Sequence, residues 1–132
     1  MNHIKTYQGF FLTENKEEKY SDDEISEIIR MIENIISNTK CTCYKIGKTA
    51  EIGFDSINGD YNDNYNCYMT IISNPSREKI DDLESKLITH FKSKETQSIC
   101  DNIRETKEDE MGADKGDGFS VYLVWKIDAK NV

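Results

Sequence analysis

The chain has 132 residues, of which 36% are hydrophobic, and it carries a formal net charge of −8. This length fits one domain over residues 1–132 with a single core, and the absence of a long apolar run or a signal-peptide pattern predicts a cytoplasmic or otherwise intracellular protein. The acidity argues against indiscriminate nucleic-acid binding, which depends on Lys and Arg, and favours a basic protein surface as partner.

The first part of the chain predicts a strand, a long helix and a second strand. Residues 4–13 are rich in aromatic and β-branched side chains, which favours a strand. Ser21 opens a capping box with the glutamate three residues later, and isoleucines follow at helical spacing. These are Ile25, Ile28, Ile29, Ile32, Ile35 and Ile36. Residues 41–47 then predict a strand that ends at its glycine.

The second part predicts a strand, another long helix and a last strand. Residues 50–66 are ambiguous, because apolar residues favour a short helix that glycines and asparagines weaken. Residues 67–72 favour a strand, and Ser76 can cap the helix that follows. The core face of that helix contains Ile80, Leu83, Leu87, Ile88 and Phe91. A mobile polar, glycine-rich loop is expected over about 94–118, and residues 119–127 alternate in a pattern typical of a strand buried on both sides.

The order of elements is β-α-β-(short α)-β-α-β. It predicts an α+β domain in which a small central mixed or antiparallel sheet is flanked by two long helices. Without the short helical excursion, the same order is that of a ferredoxin-like βαββαβ fold. Periodicity alone does not choose between this fold and others that share the order.

One acid, Glu84, falls on the apolar stripe of the second long helix. At 100° per residue it lies among the apolar side chains, whereas Asp81 and Asp82 point away from them. An unpaired carboxylate is costly to bury, so we expect a cation, a hydrogen-bond donor or water beside it. The alternatives are a structural ion pair with a nearby lysine and a metal ligand.

Two segments resemble the GIY-YIG nuclease family. Tyr44-Lys45-Ile46-Gly47-Lys48-Thr49 resembles the KIGKT variant of the YIG half-motif, found in phage and viral members. Residues 82–91 are similar to the later helix of the family, in which a glutamate holds the divalent metal. Gly9-Phe10-Phe11 stands where the GIY half would lie, and Asn102 resembles a late asparagine near the active site. The resemblance spans residues 7–103.

The resemblance implies a GIY-YIG-like fold for a domain that binds or acts on nucleic acid. It also implies metal-assisted phosphodiester hydrolysis with Mg²⁺ or Mn²⁺ as cofactor. Glu84 would hold the metal, and Tyr44 and Lys45 would lie near the nucleophile as further catalytic residues. The residues that would bind phosphate are Gly47, Lys48, Thr49 and Asn102.

The chain departs from the family at three points. No Arg or Lys occurs between Lys48 and Arg77, where the family carries an arginine that assists the chemistry. Phe11 lacks the hydroxyl of the usual tyrosine, and roughly 30 residues separate the half-motifs, more than a short hairpin connection. Two alternatives therefore stay open: a degenerate, non-cleaving domain, and a non-catalytic acidic protein-binding module of inhibitor or immunity type.

The four cysteines are expected to be reduced. Their spacing matches neither a Cys-x-x-Cys pair nor a disulfide scaffold, and alternation within a strand would place Cys41 and Cys43 on one face. A zinc site that also used Cys67 and Cys100 is an alternative, but structural zinc normally takes closely spaced ligand pairs. Buried cysteines acting as small apolar residues are the favoured interpretation.

Overall fold

A four-stranded sheet and two long helices make up the computed structural model, which describes residues 5–7, 19–50, 64–93, 99–104 and 118–128. The predicted α+β class is confirmed. The strands are β1 (Lys5–Tyr7), β2 (Cys43–Thr49), β3 (Cys67–Asn74) and β4 (Phe119–Lys126), the helices are α1 (Asp22–Thr39) and α2 (Arg77–Lys92), and a short 3₁₀ helix covers Asp101–Arg104.

Both helices begin at the serine that the sequence predicts. The Ser21 hydroxyl accepts a hydrogen bond from the Glu24 amide at 3.2 Å, and Glu24 Oε1 accepts one from the Ser21 amide at 2.8 Å, which completes the capping box. The Ser76 hydroxyl accepts from the Lys79 amide at 3.2 Å. Of the helices described, none combines the length and apolar character needed to cross a membrane.

The helix α1 ends without a glycine. Lys40 adopts the left-handed conformation that usually favours glycine, with φ 52° and ψ 46°. The chain then turns sharply, and the Thr42 amide donates to the Lys126 carbonyl at 2.8 Å before β2 begins. The predicted start of β2 at residue 41 is therefore wrong by two residues.

The sheet has the strand order β1-β3-β4-β2. The short β1 runs parallel to β3, and β4 is antiparallel to both β3 and β2. Consecutive strands β2 and β3 therefore do not pair with each other, because β4 lies between them. Strand β1 and the KIGKT strand β2 lie at opposite edges. The predicted GIY-like segment at residues 9–11 and most of the ambiguous segment at 50–66 lie outside the described residues.

The sheet has two buried faces. We call the first the helix face, because its side chains join the buried isoleucines of α1 and the apolar stripe of α2 in one continuous core. Its strand residues include Tyr44, Ile46, Met69, Val121, Leu123 and Trp125. We call the opposite side the tyrosine face, formed by Tyr65, Tyr68, Tyr122 and Val124. Burial of β4 on both faces confirms the prediction from its alternation.

Part of the predicted mobile loop at 94–118 is described. Residues 99–104 contain the short 3₁₀ helix and lie against β2, with Cys100 forming an isolated parallel bridge to Tyr44. Cys100 and Asn102 are both buried. Residues 94–98 and 105–117 lie outside the described residues.

Candidate functional site

The strand β2 divides the predicted site residues between the two faces of the sheet. Side chains alternate along a strand, so Tyr44 and Lys48 point to the helix face while Lys45 and Gly47 point to the tyrosine face. Thr49 is an even number of residues from Lys45 and Gly47, so alternation places it on the same side of the strand as these two residues. The two faces are separated by the thickness of the sheet, so the predicted catalytic residues Lys45 and Glu84 do not converge on one reacting group.

Glu84 does lie beside the KIGKT strand, where it meets Lys48. The Lys48 Nζ atom is 3.0 Å from Asp81 Oδ1 and 3.5 Å from Glu84 Oε1. The side chains of Lys48 and Glu84 are only 8% and 12% exposed, whereas that of Asp81 is 43% exposed. We call these three residues the Lys48 cluster. The structural ion pair that the sequence offered as one explanation of Glu84 is present in it.

The Lys48 cluster keeps the lysine charged. Burial alone would lower the pKa of Lys48, but the hydrogen bond to Asp81 and the charge of Glu84 outweigh it, so the pKa of Lys48 is raised. With both carboxylates ionised, the cluster carries one excess negative charge. An incoming phosphate would therefore meet a lysine whose charge is already neutralised, between two acids that repel it.

The described residues around Glu84 do not fit the Mg²⁺ or Mn²⁺ that the resemblance implies. The Lys48 ammonium occupies the position beside the carboxylate that a cation would take. Among the described residues, no three His, Cys, Asp or Glu side chains are grouped as a metal site would require. We derive no catalytic step through a metal at this position.

Tyr44 is a core residue. Its side chain is 0% exposed, and its ring packs edge to face against Phe91 with 5.9 Å between ring centroids. A phenol that activates water must meet solvent or substrate, and burial withholds Tyr44 from both. The position contributes packing between β2 and the end of α2.

Asn102 is bound to the backbone of β2. Its Oδ1 atom accepts a hydrogen bond from the Ile46 amide, and its Nδ2 atom donates to the Ile46 carbonyl, each at 2.8 Å. The side chain is 1% exposed. The amide thus satisfies two buried backbone groups, which gives this asparagine a structural reason to be present.

Gly47 lies within β2 and does not end it, which corrects the prediction. It pairs with Tyr122 of β4, and the Tyr122 ring lies over its α-carbon. A Cβ atom added at Gly47 would overlap both Cζ and Oη of Tyr122. The sequence pattern predicts that this glycine ends a strand or contacts a phosphate. In the structure, the missing side chain of Gly47 leaves space for an aromatic ring on the tyrosine face.

We expect Gly47→Ala to destabilise the fold by about 1–3 kcal/mol, the usual cost of overpacking a filled core. The Tyr122 ring cannot move away freely, because it is 5% exposed and lies 5.9 Å from the Tyr68 ring. Chemical denaturation of Gly47→Ala, Tyr122→Leu and the double variant measures the effect. The double variant should lose less stability than the sum of the single variants. Additive losses would mean that the ring does not set the requirement for glycine.

Sequence reasoning missed the part of Asp81 in the Lys48 cluster. Helical spacing directs Asp81 away from the apolar stripe, yet its carboxylate makes the shorter contact with Lys48. The available signal was its position three residues before Glu84, since residues so spaced are neighbours on a helix surface. Nothing in the sequence indicated that the lysine of β2 would reach both.

The cysteines are free thiols on both sides of the sheet. Cys41, Cys67 and Cys100 join the helix-face core, whereas Cys43 packs against the tyrosine face, so the prediction that Cys41 and Cys43 share a face is wrong. The bend between them breaks the strand alternation. Burial and the neighbouring Cys43 raise the pKa of Cys41 to about 11, and burial also raises the pKa of Cys43 and Cys100. Protonated, buried thiols are poor zinc ligands and poor nucleophiles.

An open cleft of about 460 Å³ lies at the end of the sheet, away from the predicted site. Its lining includes Asn66, whose side chain is already bonded to the Ile127 backbone, and the exposed side chains of Lys126 and Asp128.

Comparison with protein-family models, curated proteins and solved structures found no match to this chain.

Proposed function

We propose that the chain is a non-catalytic acidic binding module in which α1 covers a basic protein surface. The observation that carries this proposal is a difference in ion pairing between the two helices. On α2, Asp81 lies 3.0 Å from Lys48, and Asp82 lies 2.9 Å from Lys86. On α1, by contrast, the four exposed carboxylates have a single basic partner among the described residues, Arg30.

The exposed side of α1 is acidic and little compensated. The helix contains five acids and one base, which gives it a net charge of −4. Asp22, Asp23 and Glu33 are exposed and have no basic partner among the described residues. Arg30 lies 3.7 Å from Glu27, but their side chains are 72% and 51% exposed, so the pair adds little stability.

Helix stability explains only part of this charge. Acids in the first turn favour helix formation through the dipole, which accounts for Asp22 and Asp23. Glu27 and Glu33 lie beyond that turn, and their carboxylates gain nothing comparable from the helix. Uncompensated surface charge of one sign steers a partner of opposite charge and gives binding that weakens with salt.

The test begins with capture of partners by the wild-type chain and continues with one purified basic partner. Glu27→Lys/Glu33→Lys brings the net charge of α1 from −4 to 0, and Glu78→Lys/Asp128→Lys makes the same change in net charge at exposed positions elsewhere. We expect association at low salt to slow by at least roughly tenfold for the α1 variant and much less for the control. Equal slowing in both variants, or the absence of any basic partner, would reject the proposal.

A GIY-YIG-like nuclease is the second candidate, favoured by the position of Glu84 next to Lys48 of the KIGKT strand. The missing arginine and the paired state of Lys48 weigh against it. Cleavage of DNA or RNA is measured with Mg²⁺ or Mn²⁺ for wild type and for Glu84→Gln. We expect neither protein to cleave; robust wild-type cleavage lost in Glu84→Gln would establish the enzyme and overturn the binding-module proposal.

A further inference from the structure

Two asparagine side chains in this fold imitate a neighbouring strand. The Asn102 amide exchanges two hydrogen bonds of 2.8 Å with the N–H and C=O groups of Ile46. The Asn66 amide makes the same pair of 2.8 Å hydrogen bonds with Ile127. In each case a side-chain amide takes the place of a backbone peptide group.

The two asparagines differ in their position in the sheet. Asn66 immediately precedes β3, and Ile127 immediately follows β4, so this contact prolongs the ladder between two inner strands. Ile46, in contrast, lies in the edge strand β2. In an antiparallel ladder every second residue turns its N–H and C=O away from the partner strand. Ile46 turns both groups away from β4, and Asn102 binds them on that outer side of the strand.

An edge strand with unsatisfied backbone groups is a template for pairing with another chain. Solvated lysines often prevent such pairing, but the two lysines of β2 do not serve in this way. The Lys48 side chain is 8% exposed within its ion cluster, and Lys45 is 9% exposed on the tyrosine face. Protection of the edge at Ile46 and Tyr44 comes, in the described part of the chain, from Asn102 and from the bridge that Cys100 makes.

We propose that Asn102 blocks strand pairing between β2, an edge strand in the described part of the chain, and a second copy of this chain. The Asn102 amide covers the middle of β2, where the Ile46 N–H and C=O groups would otherwise be available to a partner strand. This inference does not depend on the proposed function, since it concerns the sheet edge and not α1.

Asn102→Ala and Asn66→Ala form a matched pair for the test, because each removes an amide with the same two backbone hydrogen bonds. Light scattering after size exclusion measures the mass of the purified full chain over a range of concentrations. We expect the wild type and Asn66→Ala to remain monomeric. Asn102→Ala should show a mass that rises toward twice the monomer or more, and its Ile46 amide should exchange at least roughly tenfold faster in the dilute monomer.

Equal behaviour of the two variants would overturn the proposal. If both stay monomeric, Asn102 only stabilises the fold; if both associate, loss of stability and not the open edge causes association. Should Asn102→Ala fail to fold, Asn102→Ser is used, because its short hydroxyl side chain cannot reach both backbone groups. A folded Asn102→Ser variant that stays monomeric at the highest concentration would likewise refute the proposal that Asn102 blocks strand pairing.

Discussion

Replacing Lys48 with methionine should destabilise the fold by about 3 kcal/mol, because it leaves Glu84 largely buried without its ammonium partner. We place the cost at the lower end of the range for broken buried pairs, since Asp81 is 43% exposed and water can solvate it. Denaturant unfolding followed by circular dichroism gives the change in the free energy of unfolding.

Two further variants separate the ion pair from the loss of a lysine. Lys86→Met removes a lysine that lies 2.9 Å from Asp82, but the Lys86 side chain is 43% exposed, so the cost should stay below about 1 kcal/mol. Lys48→Met/Glu84→Gln removes both charges and should recover part of the loss. A cost for Lys48→Met no larger than that for Lys86→Met would show that the cluster contributes no more than a surface pair.

The contribution of Lys48 also has a predictable dependence on pH. The pKa of Lys48 is raised in the folded chain from the ordinary value of 10.5, so the folded state binds the proton more tightly than the unfolded state. The stabilisation is fully present below pH 10.5 and is lost as the pH rises through the folded-state pKa. Between neutral pH and pH 10.5 the difference in stability between wild type and Lys48→Met should therefore stay constant, and it should shrink at strongly alkaline pH. A difference that shrinks between pH 6 and 8 would contradict this assignment.

Ile32→Ala should be among the most damaging single truncations on α1. The Ile32 side chain is 0% exposed and lies at the centre of the helix stripe, so its loss removes buried area and leaves a cavity. We expect a cost of about 2–5 kcal/mol in the free energy of unfolding. Thermal and denaturant unfolding of wild type and variant measure it.

The same helix provides the control. Ile29 is only partly buried at the side of the stripe, so Ile29→Ala should cost distinctly less than Ile32→Ala. Both variants make the same isoleucine-to-alanine change on the same helix, so they differ only in how deeply the residue is buried. Equal, near-zero effects at both positions would mean that this face is not packed in solution, and would make the apolar side of α1 a candidate partner surface.

The local part of the fold could be predicted from the sequence. The capping box at Ser21 and the isoleucine period set the start and the buried face of α1, because both are interactions within one or two turns. The alternation of residues 119–127 likewise revealed a strand buried on both sides. The strand order could not be predicted in this way, since periodicity reports which face of an element is buried and not which strand lies beside it.

In the candidate site, too, the sequence predicted local features and did not predict contacts between distant segments. The position of Glu84 on the apolar stripe predicted that it needs a charged or polar partner, and Lys48 provides one. The sequence did not reveal that Gly47 faces Tyr122, because residues 47 and 122 meet only through the register of β2 and β4. A short motif gives residue types and spacing, and the packing that decides their roles comes from distant parts of the chain.

The position of β4 in the sheet has a consequence for folding. Strand β4 lies between β2 and β3 in the sheet but follows both in the chain. Cys43 therefore pairs with Lys126, a residue far from it in sequence. Pairings between distant residues slow folding because loop closure must precede the contacts that reward it. During synthesis, β2 and β3 emerge with the edges that β4 will occupy still unpaired. We expect a nascent chain that stops before Phe119 to expose these edges and to be prone to aggregation until β4 is added.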